Sequence, residues 1–236
     1  MTELLEVKDL HAGYDDVPVL HGVSLSVGAD ECVALLGPNG HGKTTLLRTV
    51  SRLHPLHRGR VVFDGVDISA RPPHELADLG LTHVPQGDLL FGDMTVEENL
   101  LVGAYRRQSW RRRREGLEEV WQIFPEIYER RAELARALSG GERRMVALGR
   151  GLMGPSKLLM IDEPSLGLAP VAIEKLYEAL ARLREVHVPM LLVEEAEERI
   201  ADIADRVYVL DAGSIVAAGK TEELLADQTL LATYLG

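Results

Sequence analysis

The stretch that most limits what this chain can become is "CVALLGPNGHGKTTLLRTV", Cys32 to Val50. "CVALL" is continuously apolar, as a strand covered on both faces must be. "KTTLLRTV" then takes up helical spacing. Between them Gly37, Gly40 and Gly42 let the backbone curl its amides around an anion without a clashing Cβ. Gly37, Gly42, Lys43 and Thr44 keep the spacing G-x-x-x-x-G-K-S/T, with a strand before it and a helix after it. That order predicts a phosphate loop. The helix N-terminus adds positive potential, Lys43 reaches the β- and γ-phosphates, and the Thr44 hydroxyl suits Mg²⁺. The residues expected on a triphosphate are Gly37, Pro38, Asn39, Gly40, His41, Gly42, Lys43, Thr44 and Thr45. His41 stands where a small residue is usual. It is expected to be an exposed side chain with little bearing on affinity, because such a loop acts through its backbone.

A phosphate-bound magnesium also calls for a carboxylate. "LLMIDEP" ends an apolar run with Asp162, at the end of a strand where sheets form ligand crevices. Glu163 follows, and successive strand side chains point opposite ways. The pair can therefore divide its work: Asp162 holding the metal through water, Glu163 facing the attacking water as general base.

Elsewhere, "LLEVKDL" and "VLHGVSLSV" alternate like half-buried strands, and "GRVVFDGVDI" is a hairpin about Asp64 and Gly65. "LTHVPQ", "KLLMID" and "MLLVEE" read as strands, "VAIEKLYEALARLREV" and "EERIADIAD" as helices, and "RVYVLDAGSIVAAG" as a second hairpin. Strands alternating with helices imply a mostly parallel sheet with crossover helices, and the early hairpins a smaller antiparallel section. From Leu89 to Gly154 strand signals vanish, so a helical insertion is expected there. The predicted fold is α/β. Residues 1–88 form a nucleotide-binding core with an antiparallel β subdomain, 89–154 a helical subdomain, and 155–236 the rest of the core with a C-terminal hairpin and helix. The single cysteine excludes an internal disulfide, and the acidic start "MTELLEVKDL" is not that of a signal peptide. No apolar run approaches the ~18 residues of a membrane span. The net charge of -11 argues against nucleic acid as a partner.

"LSGGE", Leu138 to Glu142, sets a serine and two glycines at a helix start. The Ser139 hydroxyl and the Gly140 and Gly141 amides make a second anion site there. With "GPNGHGKTT" and "LLMIDEP" in this order, the chain resembles the ATP-binding subunits of ABC transporters over essentially its whole length. The resemblance implies a P-loop NTPase using ATP and Mg²⁺, with Tyr14 of "HAGYDDVPVL" stacking on adenine. It makes Gln86 of "VPQGDLLF" a residue of the metal site that also couples that site to the helical lobe. Ser139, Gly140, Gly141 and Glu142 become a lid offered to the opposite subunit of a head-to-tail dimer sandwiching two ATP molecules. The implied catalytic set is Lys43, Gln86 and Glu163, and the implied metal set is Thr44, Gln86 and Asp162.

"LSGGERRMVALGRGLM", "IDEPSLGLAP", "MTVEENL" and "DQTLLATYLG" are similar to the shorter ATPase subunit of branched-chain amino-acid importers. Importers of urea, amides or other amino acids share much of this text. A soluble, non-transport ABC ATPase is less favoured, since the chain has one cassette and no sustained heptads. The implied partners are a second ATPase subunit (identical or different), two membrane-embedded permeases and, indirectly, a periplasmic-type binding protein. The implied place is the cytoplasmic face of the inner (plasma) membrane.

Two features depart from the common pattern. Glu195 aligns where many ABC ATPases place a histidine on the γ-phosphate. A carboxylate there repels that phosphate unless protonated or turned away. Leu168 and Ala169 stand where most cassettes carry a loop aspartate. Together these imply two unequal composite sites and a longer partner subunit. The run "YRRQSWRRRR", Tyr105 to Arg114, reads as a solvated helix face balanced by "EGLEE" or as a nucleic-acid or lipid surface, and the resemblance implies a face toward the membrane-embedded subunits near the anionic leaflet.

Overall fold

The computed structural model describes residues 3–234. Met1, Thr2, Leu235 and Gly236, the outermost residues of the first and last predicted segments, lie outside them. The chain begins with strands β1 (Glu3–Tyr14), β2 (Val17–Gly28) and β3 (Cys32–Leu36), then helix α1 (Lys43–Val50), β4 (Arg58–Phe63), β5 (Val66–Asp67), α2 (Pro73–Leu79) and β6 (Leu81–Val84). Five helices follow without a strand: α3 (Val96–Gly103), α4 (Arg107–Arg111), α5 (Arg113–Ile123), α6 (Pro125–Tyr128) and α7 (Gly140–Leu152). After them come β7 (Leu158–Asp162), α8 (Pro170–Glu185), β8 (Met190–Glu194), β9 (Arg206–Asp211), β10 (Ser214–Lys220), α9 (Thr221–Leu225) and α10 (Gln228–Tyr234). The residues group into two compact units, one of 1–83, 157–163 and 187–236, the other of 84–156 and 164–186.

The first unit holds an antiparallel sheet in the order β2-β1-β4-β5 and most of a second sheet in the order β10-β9-β3-β8-β7-β6. In the second sheet β3 runs parallel to β8 and β9, and β7 parallel to β8. Every residue of β3, β7 and β8 is buried, which is why these strands read as unbroken apolar runs. Their register sets Leu36 beside Glu194, and Val193 beside Asp162, at one carboxyl-terminal edge. Ligand crevices of α/β sheets open at such an edge. The β4–β5 hairpin turns as its residues require: Asp64 (φ 48°) and Gly65 (φ 74°) both take positive φ, as a two-residue hairpin turn of this type needs.

Two elements differ from expectation. Helix α2 is absent from the sequence reading because it is short and only Leu76 on it is buried, too few apolar positions to show a period. Its ends were nevertheless written, by proline at its start and Gly80 in the left-handed region after it. The predicted helix "EERIADIAD" is instead one 3₁₀ turn, Glu197–Arg199, followed by tight turns. Ile200, Ile203 and Ala204 still reach the core at helical spacing. The chain must then meet β3 at once: Asp205 N–H donates to Cys32 O at 2.8 Å, and Cys32 N–H donates to the Asp205 carboxylate at 2.9 Å.

His83 on β6 carries a pH consequence. The Ser51 hydroxyl donates to Leu47 O at 2.8 Å, so His83 Nδ1–H is the donor in its 3.0 Å bond to Ser51 Oγ. Nε2 is then an unprotonated nitrogen, buried and without a partner. Burial, helped by the Arg48 charge, lowers the imidazole pKa to about 4. The unfolded chain therefore takes up this proton before the folded one, and stability falls as the pH drops from the ordinary histidine value toward 4. Urea unfolding at pH 5 should show about 2 kcal/mol less stability from this residue than at pH 7. His83→Gln should remove that part of the slope; an unchanged slope in the variant would refute the assignment.

Candidate nucleotide site

The first unit assembles the site at the β3–α1 junction. Gly42, just before α1, has φ 106° and ψ 2°, a conformation that L side chains avoid. Gly37 passes so close to β9 that a Cβ there would lie 2.2 Å from Leu210 O. A cleft of about 250 Å³ beside the loop is lined by Tyr14, Gly40, Gly42, Lys43, Thr44 and Glu163, with Val19 and Thr45.

Lys43 is 3% exposed. Its ammonium donates to Gly37 O (2.6 Å) and Pro38 O (3.1 Å) and pairs with Glu163 Oε1 at 3.0 Å. Glu163 is itself buried and held at φ 45°, the strained left-handed region, with its N–H on Val193 O at 3.0 Å. Strain of this kind, worth about 1–3 kcal/mol, persists where the surroundings impose it and clusters at functional sites. The Thr44 hydroxyl donates to Asp162 Oδ1 at 3.1 Å. Asp162 Oδ2 is buried with no donor. Burial, with the Glu163 charge adding, pushes the Asp162 carboxyl above the usual carboxylate range against the Thr44 bond. A buried, unsatisfied carboxylate oxygen beside a threonine hydroxyl fits a hard cation such as Mg²⁺, which favours one or two carboxylates plus phosphate oxygens over an all-protein cage. Among the described residues no cluster of three His, Cys, Asp or Glu side chains makes such a cage.

Two side chains behave differently from the sequence reading. His41 is half-buried rather than exposed. Its Nδ1 lies 2.7 Å from Asp211 Oδ1 and 3.1 Å from Ala212 N, while its carbonyl accepts from Gly213 N–H at 3.2 Å. The phosphate loop is thereby tied to the β9–β10 turn, a contact across 170 residues that no local pattern announces. Glu195 is exposed, but Asn39 Nδ2 donates to its Oε2 at 2.9 Å, so it is fastened to the phosphate loop. Sequence reasoning passed over Glu194, the buried carboxylate at the end of β8, which pairs with Arg199 at 3.3 Å. Its signal was its place at the end of an apolar run, the same as for Asp162.

Gln86 and the "LSGGE" residues belong to the second unit. Gln86 is exposed on the loop after β6. Ser139 is exposed at the N-cap of α7 and forms a capping box with Glu142: Ser139 Oγ accepts from Glu142 N–H at 3.3 Å, and Glu142 Oε2 accepts from Ser139 N–H at 2.7 Å. Arg130 holds both Glu142 oxygens, at 3.0 and 3.1 Å. Burial alone would raise the Glu142 pKa, but bonds from Ser139 and Arg130 outweigh it and hold the carboxyl below its ordinary value. Gly141 has a packing reason besides its amide: a Cβ there would come within 2.9 Å of Ala172 Cβ on α8.

Residues 20–166 match the ABC transporter family, ABC_tran. The chain belongs to that family. It is 37% identical over 223 residues to the high-affinity branched-chain amino acid transport ATP-binding protein BraG of Pseudomonas aeruginosa, covering 94% of this chain and 95% of that protein. It is 35% identical over 235 residues to the lipopolysaccharide export system ATP-binding protein LptB of Haemophilus influenzae, covering 99% and 97%. Among solved structures, a nucleotide-free ATP-binding cassette from an ABC transporter superposes with a TM-score of 0.86 at 26% identity, each chain covered in full. A cassette in its ADP conformation gives 0.85 at 27% identity, again in full. The α/β cassette fold and the resemblance read from the three motifs therefore hold. This ABC cassette is the ATPase subunit of a transporter, of a family whose ATPase subunits bind and hydrolyse ATP and work as dimers with membrane permeases. No helix among the described residues is long and apolar enough to cross a membrane.

Proposed function

We propose that this cassette powers an importer of branched-chain or chemically related amino acids. The observation that carries the reading is the likeness to BraG over 94% of the chain. A second reading, ATP supply for lipopolysaccharide export, is favoured by the likeness to LptB over 99% of it.

In the proposed cycle ATP enters the cleft with its base on Tyr14. Lys43 leaves Glu163 for the β- and γ-phosphates, and the backbone N–H groups of residues 39–45 hold the rest of the chain of phosphates. Thr44 and Asp162 would hold Mg²⁺, whose charge would offset that of the phosphate oxygens. Glu163, freed of Lys43, takes a proton from the attacking water. A second ATPase subunit, which we propose to be the longer partner, offers Ser139-type residues to this site and receives Ser139, Gly140, Gly141 and Glu142 in return. ATP touches both halves only when they are closed, so it favours closure, and hydrolysis removes the preference. Closure reaches two permeases as a rigid-body movement, and a periplasmic-type binding protein delivers the cargo. The exposure of Ser139 supports this exchange. Helix α4 buries none of its residues, and Tyr105 and Trp110 are exposed beside its arginines. That supports peripheral placement against an anionic cytoplasmic leaflet.

Deleting the chain from its host and following labelled leucine, isoleucine and valine separates the two readings. Loss of uptake with normal surface lipopolysaccharide is expected; normal uptake with lipopolysaccharide retained inside would overturn the import reading in favour of export.

A further inference from the structure

Tyr14 is 44% exposed at the end of β1, yet it lines the phosphate-loop cleft. A ring so exposed needs a brace if it is to offer a fixed face to a ligand. The brace is His54. Its imidazole centroid lies 4.4 Å from that of Tyr14, with the two planes tilted by 42°. The imidazole is in turn held in place: its Nε2–H donates to Gly13 O at 2.9 Å, on the residue preceding Tyr14, and the His54 N–H donates to Arg48 O at 3.0 Å on α1. A carbonyl can only accept, so the first bond puts a proton on Nε2.

Helix α1 thus serves two tasks from its two ends. Its first residues, Lys43 and Thr44, stand at the phosphate loop, and the chain leaving its last turn returns to Tyr14 through His54. Eight residues at 1.5 Å each separate the tasks by about 12 Å.

We propose that His54 is a positioning residue for the nucleobase: it holds the Tyr14 ring as the platform on which the base of ATP stacks. The inference rests on the reading that Tyr14 takes the base. It assigns His54 no contact with the triphosphate, and that separates it from a merely structural residue.

Isothermal titration of the full chain with Mg²⁺-ATP and with Mg²⁺-tripolyphosphate, which has no base, tests it. His54→Ala should weaken ATP about fivefold, the size of one aromatic pair, and leave tripolyphosphate unchanged. His54→Phe keeps a ring against Tyr14 and should recover ATP affinity to within about twofold of the parent. Tyr14→Ala should weaken ATP at least as much as His54→Ala. If Tyr14→Ala weakens ATP and His54→Ala does not, the brace is refuted while the platform stands. If Tyr14→Ala itself leaves ATP binding intact, the platform reading fails and the brace with it. Equal losses for ATP and tripolyphosphate in His54→Ala would make His54 a structural residue and overturn the proposal.

Discussion

Replacing Glu163 with Gln is expected to lower ATP turnover by about 10²- to 10⁴-fold, the usual contribution of a positioned general base, while ATP binding becomes tighter. The two effects have one origin. Glu163 is paired with Lys43 at 3.0 Å, and both side chains are almost wholly buried. Binding a triphosphate must break that pair, and Glu163 then adds its charge beside the incoming phosphates. Gln keeps the shape and one acceptor oxygen but removes the charge. It cannot take a proton from water, yet it releases Lys43 more cheaply, so affinity should rise about tenfold, or about 1.4 kcal/mol. Phosphate release in a single turnover and titration with Mg²⁺-ATP measure the two halves. Turnover within threefold of the parent would remove Glu163 as the base. Turnover and affinity falling together would make it a binding residue instead.

What could be read beforehand follows a physical rule. Strands β3, β7 and β8 were legible because each is buried on both faces and so is apolar up to the carboxylate that closes β7 and β8. The phosphate loop was legible because its geometry needs particular residues at fixed spacing, as Gly42 at φ 106° illustrates. Contacts between distant residues were not legible. Thr44 and Asp162 are 118 positions apart, and nothing local to either says that one Asp162 oxygen is satisfied and the other is not. His41 looked like a tolerated substitution because its partners lie on the β9–β10 turn. Tyr14 could be picked out by its motif, whereas His54 follows a helix end with no motif of its own. Glu163 and Lys43 were each singled out, but their pairing is a contact across 120 positions that nothing local to either residue announces.

Asp162→Asn should move affinity and stability in opposite directions. In the folded protein Asp162 is buried, with one oxygen on the Thr44 hydroxyl and the other on nothing. Its pKa is raised, chiefly by burial, so the folded chain binds this proton more tightly than the unfolded chain does. The cost of ionising it is therefore absent below the ordinary carboxylate range and grows as the pH rises through the raised pKa. Asparagine keeps an acceptor for Thr44 and carries no charge. Without nucleotide the variant should gain about 1 kcal/mol, or about 2–4 °C in Tm for a chain of this size. The unsatisfied oxygen is the one that would accept from a magnesium-bound water, and a hydrogen bond to a charged group is worth about 1.5–3 kcal/mol. Mg²⁺-ATP should therefore bind up to about 100-fold more weakly, while ATP in EDTA binds as before. A variant that loses both stability and metal-free ATP binding would show that Asp162 holds the loop in place and not the ion. A variant that gains stability and keeps its Mg²⁺ dependence would move the metal to another carboxylate, of which buried Glu194, one strand over at the same sheet edge, is the first to test.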